Sequence, residues 1–171
     1  MKLILFTGLP GTGKSTIAEA VGRKLGIPVF AKDWLEGTLL HSNVVAGDAM
    51  DQLGSAVYNL LTTLAERQLM LGQSAILDSV ASTRSIRRKW MGLKQKYNAD
   101  WRVIECICSD SALHLERLNG RQRGIPGWHE LEWSEVERVR SYYIPWEDDR
   151  LILDMVQPVD ENIFTALKYC E

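Results

Sequence analysis

The sequence predicts an α/β fold in which a five-stranded parallel sheet carries helices on both faces. Three observations carry that expectation: short apolar runs recur along the chain, segments of helical period separate them, and a glycine-rich stretch joins the first run to the first helical segment. Residues 3–7 are apolar almost throughout and stop at Gly8, the pattern of a strand buried on both faces. Runs of the same kind follow at 27–31, 74–77, 101–108 and 151–153. Between them, residues 15–25 place Ile17, Val21 and Leu25 on one stripe, and 49–71, 85–97, 111–118 and 134–143 share that period. Strands alternating with helices imply right-handed crossovers and three layers. Residues 118–133 fit neither pattern, because three glycines, a proline and no sustained apolar face make them a loop or flap.

At 171 residues the chain has the length of one domain, read as residues 1–171 with a lid over about 117–134. Twenty Lys and Arg against 22 Asp and Glu leave a charge of −2. That excludes a uniformly basic protein that coats nucleic acid, but not a local patch such as Arg84, Arg87, Arg88 and Lys89. Cys106, Cys108 and Cys170 lack metal or disulfide spacing, and no run approaches the ~20 apolar residues of a membrane span. The expectation is a cytoplasmic protein, monomeric or homodimeric, with no membrane contact.

The chemistry is clearest at Gly8, Leu9, Pro10, Gly11, Thr12, Gly13, Lys14, Ser15 and Thr16, whose first eight residues match G-x-x-x-x-G-K-[ST] in full. Glycines let such a loop take positive φ and turn its N–H groups toward phosphate oxygens, and the helix that follows adds its positive end. Lys14 reaches the outer phosphates and the Ser15 hydroxyl coordinates Mg²⁺, so the implied cofactors are ATP and Mg²⁺.

Three further features narrow the reaction. Asp33 lies just past the second strand, where ligand crevices of parallel sheets open. It suits a base that takes the proton of an attacking hydroxyl, or the N-cap of the next helix. Asp78 ends the third strand in the manner of a metal-holding carboxylate, and it could equally orient the acceptor or cap the turn at Ser79. Arg117, Arg121 and Arg123 cluster at the start of the irregular segment, the first two sharing a face if the helix continues. They read as arginine fingers closing over a triphosphate, or as a solvated face paired with Glu116.

Together with the phosphate loop, these residues resemble the P-loop kinases grouped with polynucleotide 5′-hydroxyl kinase, chloramphenicol phosphotransferase and zeta-toxin kinases, within the adenylate-kinase-like P-loop NTPase fold. The resemblance implies an ATP-dependent phosphotransferase in which Lys14, Asp33, Arg117, Arg121 and Arg123 are catalytic, while Ser15 holds metal and Asp78 holds metal or orients the acceptor. Ser82-Thr83-Arg84 matches the helix start that follows the third strand in those kinases. It also implies that backbone near 158–162, before the last helix, lies against adenine. The sequence departs from the group where Leu35 stands two residues after Asp33 in place of an arginine.

The acceptor is a hydroxyl of a small molecule or nucleotide-like compound, or a nucleic-acid 5′ end, and extended nucleic acid is not expected. A rival reading is an ATPase or nucleotide-dependent switch acting on a protein partner. Ser79 rather than a glutamate follows Asp78, which disfavours dedicated hydrolysis. Trp34, Trp128, Trp133 and Trp146 are expected near the acceptor crevice and flap, either stacking an acceptor or packing the flap down. His114 reads as structural, His129 as a flap residue, and Cys106 and Cys108 as core packing.

Overall fold

A computed structural model describes residues 1–42 and 50–171. Its five strands are β1 (Lys2–Thr7), β2 (Val29–Ala31), β3 (Ala75–Asp78), β4 (Asp100–Ile107) and β5 (Leu151–Asp154). All pair in parallel in the order β2-β3-β1-β4-β5, so the fold is the expected three-layer P-loop NTPase sandwich. The helices are α1 (Lys14–Leu25), α2 (Lys32–His41), α3 (Met50–Met70), α4 (Arg84–Tyr97), α5 (Ser111–Asn119), α6 (Trp133–Tyr142) and α7 (Val159–Cys170). The first residue of the helix expected over 49–71, Ala49, lies outside the described residues.

β1 is central, and its alternation divides the core. Leu3 and Leu5 face one side with Leu77, Val103, Leu61 of α3 and Trp90 of α4. Ile4 and Phe6 face the other with Ile76, Ile104, Ile17 of α1 and Ala166 of α7. Both faces are dry, which is why β1 reads as a continuous apolar run rather than an alternating one. After α1 the chain crosses to β2 on one side of β1, and it later reaches β4 on the other, so the crevice opens beyond the carboxyl end of β1.

Several expectations about local structure change. α5 stops at Asn119, so Arg121 does not continue its face, and the irregular stretch between α5 and α6 is 120–132. Residues 158–162 do not precede the last helix but begin it: Pro158 is the N-cap of α7 and Val159 its first residue, an arrangement that suits a fixed proline φ. Asp33 sits inside the first turn of α2, whose N-cap is Ala31, so Asp33 is not a cap. The basic patch is only partly a surface feature: Arg84, Arg88 and Lys89 are exposed, but Arg87 is not. Arg87 is buried, donates to the carbonyl oxygens of Ala81, Pro145 and Ile144, and lies 4.0 Å from the centroid of the Trp146 ring. Arg84 is paired with Glu147, and Lys89 donates to Asn59. Trp146 thus belongs to the core beside Arg87 rather than to the crevice, and no described helix is long and apolar enough to cross a membrane.

Candidate active site

The β1–α1 loop takes its shape from glycines: φ is 133° at Gly8, 82° at Gly11 and 89° at Gly13. A Cβ at Gly8 would lie 2.1 Å from the Cys106 carbonyl oxygen of β4, so no other residue fits there. Two locks hold the loop. The Thr12 hydroxyl donates to the Leu9 carbonyl at 2.9 Å, and His114 of α5 reaches the Pro10 carbonyl with Nε2 at 2.7 Å. A carbonyl only accepts, so the fitting tautomer carries its proton on Nε2. Burial pulls the His114 imidazole below its ordinary value, which keeps it neutral, and the Trp133 ring meets it edge-on at 5.1 Å. His114 is therefore structural, as expected, and its structural task is to fix the phosphate loop.

Two cavities meet at Lys14. The first, about 440 Å³, is lined by Gly13, Lys14 and Ser15 of the loop together with Arg117, Arg121 and Arg123. The three arginines that the sequence singled out do converge there, with different partners from the Glu116 pairing considered. Arg117 donates to the Met155 carbonyl at 2.5 Å. Arg121 lies 3.5 Å from Glu130, too long for a well-formed hydrogen bond, and its Nε and Nη2 are buried with no partner among the described residues. Burial pulls the Arg121 guanidinium below its usual value, and the neighbouring Arg123 adds to the effect. Such a group is stabilised by an anion. Arg123 forms an ion pair with Asp33, Nη1 to Oδ2 at 2.6 Å.

The second cavity, about 310 Å³, is lined by Asp33 and Glu36 of α2, Tyr58 of α3, Trp128 of the 120–132 segment, Tyr142 of α6, and Lys14 again. Lys32 is ion-paired with Glu36, and its ammonium lies 5.9 Å from both the Tyr58 and the Trp128 ring centroids. Burial pushes the Tyr58 hydroxyl up to about 12, so it stays protonated. Trp128 and His129 stack at 5.4 Å on the cavity wall. Of the tryptophans expected here only Trp128 lines this space: Trp133 packs on His114, and Trp34 is largely exposed. Tyr58, Glu36 and Tyr142 went unnoticed in the sequence because they look like ordinary amphipathic helix positions.

Asp78 closes the floor between β1 and β3, paired in register with Phe6 and only 3% exposed. Burial pushes its carboxyl up, while the Lys14 ammonium and Ser15 hydroxyl pull it back. Its Oδ1 is buried and has no hydrogen-bond partner among the described residues. An orphaned carboxylate oxygen beside a serine hydroxyl is an all-oxygen donor set, which fits Mg²⁺. Among the described residues no cluster of three or more His, Cys, Asp and Glu exists, so the protein alone would supply only part of a coordination shell.

Residues 3–142 match the family model AAA_33, described as an AAA domain. The chain belongs to this AAA domain family. The match runs from β1 to the end of α6 and so covers the lining of the second cavity and that of the first apart from Met155 and Val159. The AAA domain chain is also 32% identical over 149 residues to a UPF0200 protein of Aeropyrum pernix, covering 80% of this chain and 74% of that one. A sugar kinase of Janibacter sp. HTCC2649 shares the fold at a TM-score of 0.72 and 18% identity, over 99% of this chain and 94% of the other. So does the Mycobacterium tuberculosis APS kinase CysC, solved with AMPPNP and APS, at a TM-score of 0.63 and 20% identity over 99% and 96%.

Proposed function

We propose that the protein transfers the γ-phosphoryl group of ATP to a hydroxyl of a small acceptor. The observation that carries this reading is the meeting of two cavities at Lys14, one built from the phosphate loop and three arginines, the other holding Asp33. ATP occupies the first cavity, with its outer phosphates on the loop N–H groups and the helix end. Arg121, whose buried Nε and Nη2 make no hydrogen bond among the described residues, receives the terminal phosphate. Ser15 and Asp78 hold Mg²⁺, which supplies charge neutralisation at the phosphates. The acceptor occupies the second cavity, and Asp33 takes the proton of its hydroxyl as the oxygen attacks phosphorus.

The size of the second cavity and its aromatic walls suit a compact acceptor or the end of a longer one. The burial of Arg87 removes the centre of the patch that an extended nucleic acid would need. The kinship with solved kinases of the same fold, and the residue pattern shared with polynucleotide 5′-hydroxyl kinase, chloramphenicol phosphotransferase and zeta-toxin kinases, support transfer over hydrolysis. An ATPase or switch acting on a protein partner is the competing reading; a second cavity beside the phosphate loop favours an acceptor of its own. The test is incubation with γ-labelled ATP across metabolite, nucleoside and oligonucleotide pools, with the labelled product identified by mass. Label on one acceptor class supports the proposal. Label released only as inorganic phosphate, at a rate no pool changes, overturns it.

A further inference from the structure

An ion pair links the linings of the two cavities. Asp33 lines the acceptor side, Arg123 lines the phosphate side, and the two are in contact at 2.6 Å. Both side chains are largely buried, at 10% exposure for Arg123 and 20% for Asp33, so the pair is shielded from solvent. While it holds, Oδ2 is occupied by a charge-assisted hydrogen bond and is not open to a hydroxyl or a water.

The backbone that carries Arg123 is tethered on the acceptor side. Its N–H donates to Glu130 at 2.6 Å, Ile125 is buried, and Gly127 packs so closely on α2 that a Cβ there would lie 2.5 Å from the Gly37 carbonyl oxygen. The guanidinium, at the end of a long side chain, can exchange partners while that backbone stays seated. A terminal phosphate presents three acceptor oxygens and roughly two negative charges against the single charge of a carboxylate.

We infer that Arg123 is a latch on Asp33, released when a triphosphate binds: the terminal phosphate takes the guanidinium from the carboxylate, so the base is freed only once the phosphoryl donor is in place. The latch rests on the reading of Asp33 as the base.

The test is binding, with no acceptor required. Removing the carboxylate with Asp33→Asn spares the triphosphate the work of breaking the pair. The Kd of Mg²⁺·AMPPNP should tighten by about three- to tenfold, with less than about twofold change for Mg²⁺·ADP. In an Arg123→Gln background the same Asp33→Asn change should move the AMPPNP Kd by less than about twofold, because no latch remains to release. Unchanged AMPPNP affinity in Asp33→Asn, or the same gain in both backgrounds, overturns the inference; the second outcome would mark simple repulsion between Asp33 and the phosphates. Crystal structures of the unaltered protein with and without AMPPNP decide the matter independently of how the variants fold. An Arg123–Asp33 pair that persists with AMPPNP bound also overturns it. A coupled binding result without phosphoryl transfer in the labelling screen would leave the latch standing and remove the kinase reading.

Discussion

Asp33 is the residue on which the proposed chemistry turns. Asp33→Asn should lower kcat by ~10² to 10⁴ without weakening nucleotide binding, the size expected when a general base is lost; steady-state kinetics beside calorimetric ATP binding will show it. Near-normal turnover would remove Asp33 from the mechanism. Arg121→Ala should likewise cost kcat more than ATP affinity, because its orphaned nitrogens await charge that develops as the phosphoryl group moves. His114 gives a pH signature. Its pKa is held below the ordinary 6.5 in the folded chain. As pH falls through 6.5 the unfolded chain therefore binds a proton the folded one refuses, and stability declines until pH passes the depressed folded value. In His114→Asn the fall in Tm between pH 7.5 and 5.5 should be shallower than in the unaltered protein, and an equally steep fall would deny His114 this role. The phosphate-loop residues and both aspartates were legible from the sequence, because their chemistry needs fixed spacing and strand ends. The task of His114 was not, since its partner Pro10 lies 104 residues away.

The 120–132 segment shows what a local pattern conveys and what it leaves out. Glycines and a proline mark it as irregular, and irregular it is. Its seat on α2 depends on two glycines 90 residues apart: Gly127, with φ 75°, rests on the Gly37 carbonyl, and a Cβ at Gly37 would lie 2.7 Å from Ile125 Cγ2. No periodicity reports such a contact. Gly127→Ala combines a strained φ with a backbone clash and should lower stability by about 1–3 kcal/mol. It should also raise the acceptor KM and expose the segment to proteolysis while leaving ATP affinity within about twofold. An unchanged digestion pattern and KM would mean that the segment does not depend on this seat. The spacing of Arg117 and Arg121 suggested one helical face, and the helix ended first at Asn119. The arginines still converge on the first cavity, although only Arg117 lies on α5. The sequence of α4 misled in the opposite way: its basic run looks like a surface patch, yet Arg87 is drawn inward by three carbonyl oxygens and the face of Trp146.

The sheet order was within reach of the sequence, because five buried-strand runs alternating with helices admit few parallel arrangements. The division of the crevice into two cavities was not, because its walls come from α2, α3, α6 and the flap, which meet only in the folded chain. In the proposed reading, that division is what separates a transferase from a hydrolase. Nucleotide binding alone is shared by both, and saturating ATP should stabilise either by about 2.7 kcal/mol at a hundredfold excess over Kd. The decisive quantity is the rate at which ATP loses its terminal phosphate with and without the acceptor pool that captures label. Transfer into the Asp33 cavity predicts slow loss in buffer alone and acceleration by ~10² or more when the acceptor is added, with the label following the acceptor. Equal rates in both conditions, with all label appearing as inorganic phosphate, would contradict it.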